Sequence, residues 1–301
     1  MTKEQTDYLE NYNGYDKELI ENAFKKRASV EQIESLQDEA NSIFEFRSAV
    51  AALAAGLDIS FAKYLVSADL KYDARKEALK GFNNGISLEQ AQSYFHNDDE
   101  GSQIEGICRL LLSTTEENAA PYLRQSFRLK QYECIAHGFK HGYTKEQLEL
   151  YAKPEIRAHT MQIACELIDK HISNETVKVL TEPALNSEQL DILRDAALER
   201  VPVSVLKICA KKNYLPLKMR LIIQGYKEGF SEVQLLQLAD TEIYDISTVF
   251  GKIKTENMEE KTVCTSDTYE NLRNSLIKLS DSLNGAQKKE LVNILLFGEI
   301  A

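Results

Sequence analysis

GYTKEQLELYAKPE, residues 142–155, contains the four letters that decide the fold, Thr144-Lys-Glu-Gln. The same four stand at Thr2 to Gln5. Threonine followed three residues later by glutamine is the pattern of a capping box. The hydroxyl accepts from an orphan N–H of the first helical turn, and the glutamine side chain reaches back to the cap backbone. Each copy therefore predicts the start of a helix.

Relatives of this element recur along the chain. They begin at Thr2, Ser29, Ser60, Ser87, Thr115, Thr144, Ser173, Pro202 and Ser231, at spacings of 27, 31, 27, 28, 29, 29, 29 and 29 residues. A near-constant period of this size marks a repeat architecture. Pro202 replaces the hydroxyl with a fixed φ suited to a first helical turn. Gly85, Gly142 and Gly229 stand two residues before their caps, where a preceding helix would close in the left-handed conformation. One apolar residue follows each glycine: Ile86, Tyr143 and Phe230. Ile172 and Val201 hold that place in units without the glycine.

Six residues before the cap, Gly81, Gly138 and Gly225 recur, each followed by an aromatic. Small residues there would let one helix approach its neighbour closely. Four and seven residues after the cap the chain turns apolar: Ala91 and Tyr94, Leu148 and Tyr151, Val177 and Leu180, Leu206 and Cys209, Leu235 and Leu238. That spacing is one face of a helix. Pro154 and Pro183 mark loops between hairpins.

Each unit thus reads as helix A, a tight turn and helix B. A lone hairpin of this size cannot bury its apolar face, so neighbours must stack. The predicted fold is all-α: an α-solenoid of stacked helical hairpins over residues 1–250, with a period of 27–31 residues. A polar loop is expected over 251–265. A C-terminal helical cap is expected over 266–301, its helices at about 266–283 and 286–297.

GFKHGYTKEQLELYAKPE from Gly138 and its echo GYKEGFSEVQLLQLADTE from Gly225 resemble degenerate helical-hairpin repeats. Such repeats occur in phage, plasmid and conjugative-element proteins of Firmicutes. The resemblance covers about residues 16–242. It implies a helical array and carries over no catalytic residue. Tetratricopeptide repeats are the nearest familiar shape, but their 34-residue period and tryptophan signature are absent.

Charge narrows the function classes. The net charge is −11, and Asp plus Glu against Lys plus Arg runs 19 to 11, 15 to 12 and 13 to 13 through residues 1–100, 101–200 and 201–301. This is a poor balance for direct nucleic-acid binding. Five cysteines without a CxxC pair, a polar N-terminus and no long apolar run point to a cytoplasmic chain with no membrane span.

Cys134, His137 and His141 form C-x2-H-x3-H on one helix. The repeat supplies a control. Cys134 aligns with Ile163, Ile192 and Leu221, a core column. His137 aligns with Lys80, Glu166, Asp195 and Gln224, and His141 with Asn84, Lys170, Glu199 and Glu228. The histidines thus fall in polar columns, and structural zinc wants four converging ligands, so no metal or cofactor is expected. Cys108, Cys165 and Cys209 sit among apolar neighbours and read as inert core residues. No phosphate loop, dinucleotide loop or hydrolase motif is present.

The expectation is a non-enzymatic scaffold for an unidentified protein or peptide. His137, His141, Glu166, Asp195 and Gln224 are candidate contact residues on the polar columns. The alternative is an acidic inhibitor occupying a nucleic-acid site on another enzyme, carried by Asp98, Asp99 and Glu100. Tyr94, Tyr122 and Tyr151 recur at one repeat position and read first as core.

Overall fold

The computed structural model describes residues 1–181 and 185–258, with positions 271, 273–275 and 278. Among the described residues every regular element is a helix. None is long and apolar enough to cross a membrane.

Two sets of helices alternate. The A helices are α2 (Gly14–Lys25), α4 (Ile43–Ala54), α6 (Tyr72–Asn83), α8 (Gly101–Leu111), α10 (Leu129–Lys140), α12 (Ala158–Asp169), α14 (Ser187–Leu198) and α16 (Pro216–Lys227). The shorter B helices are α1 (Lys3–Leu9), α3 (Val30–Glu39), α5 (Ile59–Ser67), α7 (Leu88–Tyr94), α9 (Glu116–Leu123), α11 (Lys145–Tyr151), α13 (Asn174–Thr181), α15 (Val203–Cys209) and α17 (Glu232–Asp240). A further helix, α18, runs over 246–258. The first part of the expected polar loop at 251–265 is therefore helical. Positions 259–265 and Pro183 lie outside the described residues. The expected capping helices do too, apart from 271, 273–275 and 278, which are helical.

The chain divides into two compact units, Met1–Arg200 and Val201–Ala301. In the first, α2, α4, α6, α8, α10, α12 and α14 pack each on the next. The B helices α1, α3, α5 and α7 pack in the same order, and α11 packs on α13. In the second, α15, α16 and α17 pack on one another.

The capping boxes form as the sequence indicates. Thr2, Ser29, Ser87, Thr144 and Ser231 each accept from the glutamine N–H three residues on, and that glutamine accepts from the cap backbone. Two caps depart from the expectation. Helix α5 is capped by Asp58, whose carboxylate accepts from Ser60 N at 2.9 Å, and not by Ser60 itself. Thr115 precedes α9 without a side-chain cap bond. With Asp58 in place, the caps stand at 29, 58, 87, 115, 144, 173, 202 and 231.

A second ladder stands at the starts of the A helices, with more varied residue types. Asn13, Ser42, Lys71, Glu100, Arg128, Arg157, Asn186 and Leu215 are its members. Successive steps are 29 residues except from Glu100 to Arg128, which is 28. Both ladders shorten once, so one residue is missing between Glu100 and Thr115. Helix α8 has 11 residues where every other A helix has 12.

The hairpin corners share one backbone design. Residues 27, 56, 85, 142, 171, 200 and 229, each two before a B cap, have positive φ. Four are glycine and three are Arg27, His171 and Arg200. At every one of these corners except that of Arg200, the next residue's N–H returns to the carbonyl five positions back, as from Ile86 to Gly81 and from Tyr143 to Gly138. This is a Schellman closure, with its customary apolar contact. A Cβ at Gly138 would meet the Tyr151 hydroxyl at 2.5 Å, Leu148 at 2.7 Å and Tyr143 at 3.0 Å. That glycine therefore accommodates its own hairpin's corner ring and B helix, more than a neighbouring A helix. Among the described residues the α8–α9 corner alone lacks the positive-φ residue.

Candidate functional site

The shortened unit leaves a mark on the surface. Helix α9 packs on α8, and its contacts with α7 and α11 are sparser than those between the other neighbouring B helices of this unit. Towards α7 the link is polar, with Gln90 Nε2 and the Tyr94 hydroxyl each 3.2 Å from a Glu116 carboxylate oxygen. Towards α11 the space stays open as a groove of about 920 Å³. A residue deleted from a helix rotates the chain beyond it by about 100° and withdraws it by about 1.5 Å. Both displacements would spoil the fit of α9 into its row.

The groove floor is apolar. Tyr122 from α9 stacks edge-on with Phe139 from α10, ring centroids 5.8 Å apart, and Leu148 of α11 lies beside them. Tyr122 and Phe139 are half-buried, so both rings stay reachable from solvent. Glu117, Glu149, Lys145 and Lys153 give the rim a mixed charge. Of the tyrosine column, Tyr151 is fully buried core while Tyr94 and Tyr122 remain half-exposed. The column thus splits at the altered unit.

A second cluster lies on α10 and α12. His137 Nε2 is 2.9 Å from Asp169 Oδ2, and His141 Nδ1 is 3.1 Å from Asp169 Oδ1. The imidazole centroids are 3.8 Å apart. The Tyr143 hydroxyl donates to Asp169 Oδ1 at 2.6 Å and lies 2.9 Å from the Cys165 carbonyl. Burial pushes the Asp169 carboxyl up, but hydrogen bonds from Tyr143 and the imidazoles, with the charge of His137, outweigh it. The net effect holds it below the usual aspartate range. Burial, then the bond to Asp169, push the Tyr143 hydroxyl well up.

Sequence reading placed both histidines in polar columns and missed Asp169. The available signal was its register. Asp169 lies four residues before Ser173, and that position elsewhere is Lys25, Ala54, Asn83, Leu111, Lys140, Leu198 or Lys227. An acid there, one repeat beyond a histidine pair, is peculiar to this unit.

The remaining candidates scatter. Glu166 is exposed beside His137, with Arg194 Nε 4.0 Å from its carboxylate. Asp195 is exposed and paired with Arg194 at 2.8 Å. Gln224 belongs to the other compact unit and donates to Glu228 at 2.9 Å. The acidic run does not form a solvated patch. Asp98 and Glu100 are exposed, but Asp99 is buried and accepts from His96 N at 2.8 Å. It occupies the register of Leu70, Phe127, Ile156, Leu185 and Tyr214, all core. Burial raises its carboxyl above the usual range, against the His96 bond.

The thiols suit core packing. Burial pushes Cys108 and Cys209 up to about 12. Cys134 is also held up, by its contact with Cys165 and then by burial. A protonated buried thiol is a poor nucleophile. Compared with family models, curated proteins and solved structures, the chain finds no match in any of the three.

Proposed function

We propose that the chain is a non-enzymatic α-solenoid scaffold that holds a peptide segment of a partner protein in the groove between α9 and α11. The alternating A and B ladders, with steps of 29 residues, support the solenoid reading. The observation that carries the function is the opening between α9 and α11, where contact along the row of B helices is sparse and the surface exposes Tyr122 and Phe139 over Leu148. Half-buried aromatic rings beside an aliphatic floor accept an apolar anchor, and a mixed-charge rim suits polar flanks. The acidic-inhibitor reading has less support, because burial removes Asp99 from any phosphate-like array.

The test is selection of a displayed random-peptide library on the full chain, with counter-selection on Tyr122→Glu. Recovery of peptides sharing an aromatic or aliphatic anchor, bound by the wild type and at least tenfold weaker to Tyr122→Glu, is the expected result. Peptides that bind both equally, or none recovered, would refute the groove. Selected peptides lost instead on Asp98→Lys with Glu100→Lys would transfer the reading to the acidic face.

A further inference from the structure

We propose that His137, His141 and Asp169 form a binding site for one divalent transition-metal ion of the zinc, copper and nickel class. The site shares only Tyr143 with the lining of the peptide groove and does not rest on the peptide reading.

The geometry comes from the fold. Positions four apart share a helix face, so His137 in the last turn of α10 and His141 at its C-cap bring their imidazoles together. Helix α12 packs against α10, and its last residue, Asp169, closes the third side. One ligand atom from each of the three lies within 4.8 Å of the others. A pair of imidazoles i, i+4 on one helix face is a recurrent metal-binding arrangement.

Donor chemistry selects the ion. Two imidazole nitrogens and one carboxylate suit borderline ions, whereas calcium and magnesium favour all-oxygen shells. The carboxylate is already held from outside by Tyr143, as ligating carboxylates commonly are. Beside the trio a shallow groove of about 490 Å³, bordered by Glu133, Gln162 and Glu166, leaves room for a water or a further ligand. Three protein ligands with an open position describe such a site.

The repeat argues against coincidence of register. One hairpin further along, the equivalent positions are Glu166, Lys170 and Leu198, which could not hold such an ion. The A helix thus does not place ligands here by default, and all three donors coincide only at this pair of units among the described residues. A bare hydrogen-bonded cluster is the competing explanation, and metal binding separates the two.

The experiment uses the full chain without a histidine tag, stripped with chelator and titrated calorimetrically with Zn²⁺. One equivalent binding at micromolar Kd or tighter is expected. Asp169→Asn and His141→Gln should each weaken binding at least tenfold, Tyr143→Phe by about tenfold, and His159→Gln not at all. Co²⁺ loading should give a d–d spectrum of a nitrogen–oxygen site without a thiolate charge-transfer band. Circular dichroism identifies any variant that fails to fold, and the Co²⁺ spectrum of the wild type does not depend on the variants. Absence of saturable binding, binding indifferent to Asp169→Asn and His141→Gln, or a thiolate band would each overturn the site.

Discussion

Residues 85 and 142 offer a direct test of the corner backbone. Gly85 has φ +104° and Gly142 φ +71°, and a Cβ added at either meets nothing within 4 Å. Substitution by alanine therefore reports backbone conformation and little else. Left-handed backbone costs an L-residue about 1–2 kcal/mol. Alanine recovers about 0.5–1 kcal/mol by restricting the unfolded chain. The balance is a loss of roughly 0–1.5 kcal/mol for Gly85→Ala or Gly142→Ala. The reverse change at the same register should act oppositely. Arg27 at φ 73° and His171 at φ 54° are exposed, so Arg27→Gly and His171→Gly should gain a comparable amount. Urea unfolding followed by far-UV circular dichroism measures each variant as a shift in midpoint at unchanged slope. If positions 85 and 142 were ordinary right-handed helix, alanine would stabilise by about 1 kcal/mol instead. Stabilisation by about 1 kcal/mol in both Gly85→Ala and Gly142→Ala would therefore refute the Schellman corner and the hairpin unit built on it.

Buried charge provides two more tests. Arg75 is buried, with Nη2 2.9 Å from Glu45 Oε1 across α6 and α4 and Nε 3.1 Å from the Leu65 carbonyl. Arg75→Met should destabilise by roughly 3–5 kcal/mol, because Glu45 stays behind without its partner; a loss below about 1 kcal/mol on urea unfolding would contradict this. Asp99 has a folded-state pKa raised mainly by burial, so its ionised form opposes folding. That cost is fully present above the raised value and is relieved as pH falls through it toward the ordinary aspartate range. Asp99→Asn keeps an acceptor for His96 N, so it should be more stable than wild type at neutral pH. The advantage should shrink on acidification, and an advantage that grows with acid in paired urea titrations would reverse the assignment.

The B caps were legible because their chemistry is local. A hydroxyl and a glutamine three residues apart satisfy donors within one turn, so the letters alone report the geometry. The left-handed corners were legible only where glycine fills them. Arg27, His171 and Arg200 adopt the same backbone without advertising it, because tertiary packing fixes the turn and accepts the strain. Ser42 and Asn186 carry local cap chemistry of the same kind, but other A caps were illegible for a related reason. Lys71 and Arg157 begin helices without side-chain caps, so no local hydrogen bond marks their start. Asp169 was hidden by distance: nothing in 28 residues of separation from His141 indicates a contact until α10 and α12 are known to lie side by side.

The groove was hidden by one misplaced letter. Taking Ser60 as the third cap gives steps of 31 and 27 around it, and against that scatter the 28 between Ser87 and Thr115 looks like noise. Moving the cap to Asp58 makes both steps 29 and leaves the 28 as the outstanding irregularity beyond the N-terminal unit. A missing residue in a helical array is not a small defect. It turns the next helix by about 100°, which takes the apolar stripe of α9 out of the row its neighbours share. Tyr122, equivalent to the fully buried Tyr151 one repeat on, then stays half-exposed over Phe139. If that is the origin of the groove, inserting one alanine into α8 after Ile107 should return α9 to register and bury Tyr122. Peptide binding would then fall while thermal stability rose. An insertion that left binding intact would show that the opening has another cause, Pro121 within α9 being the first to examine.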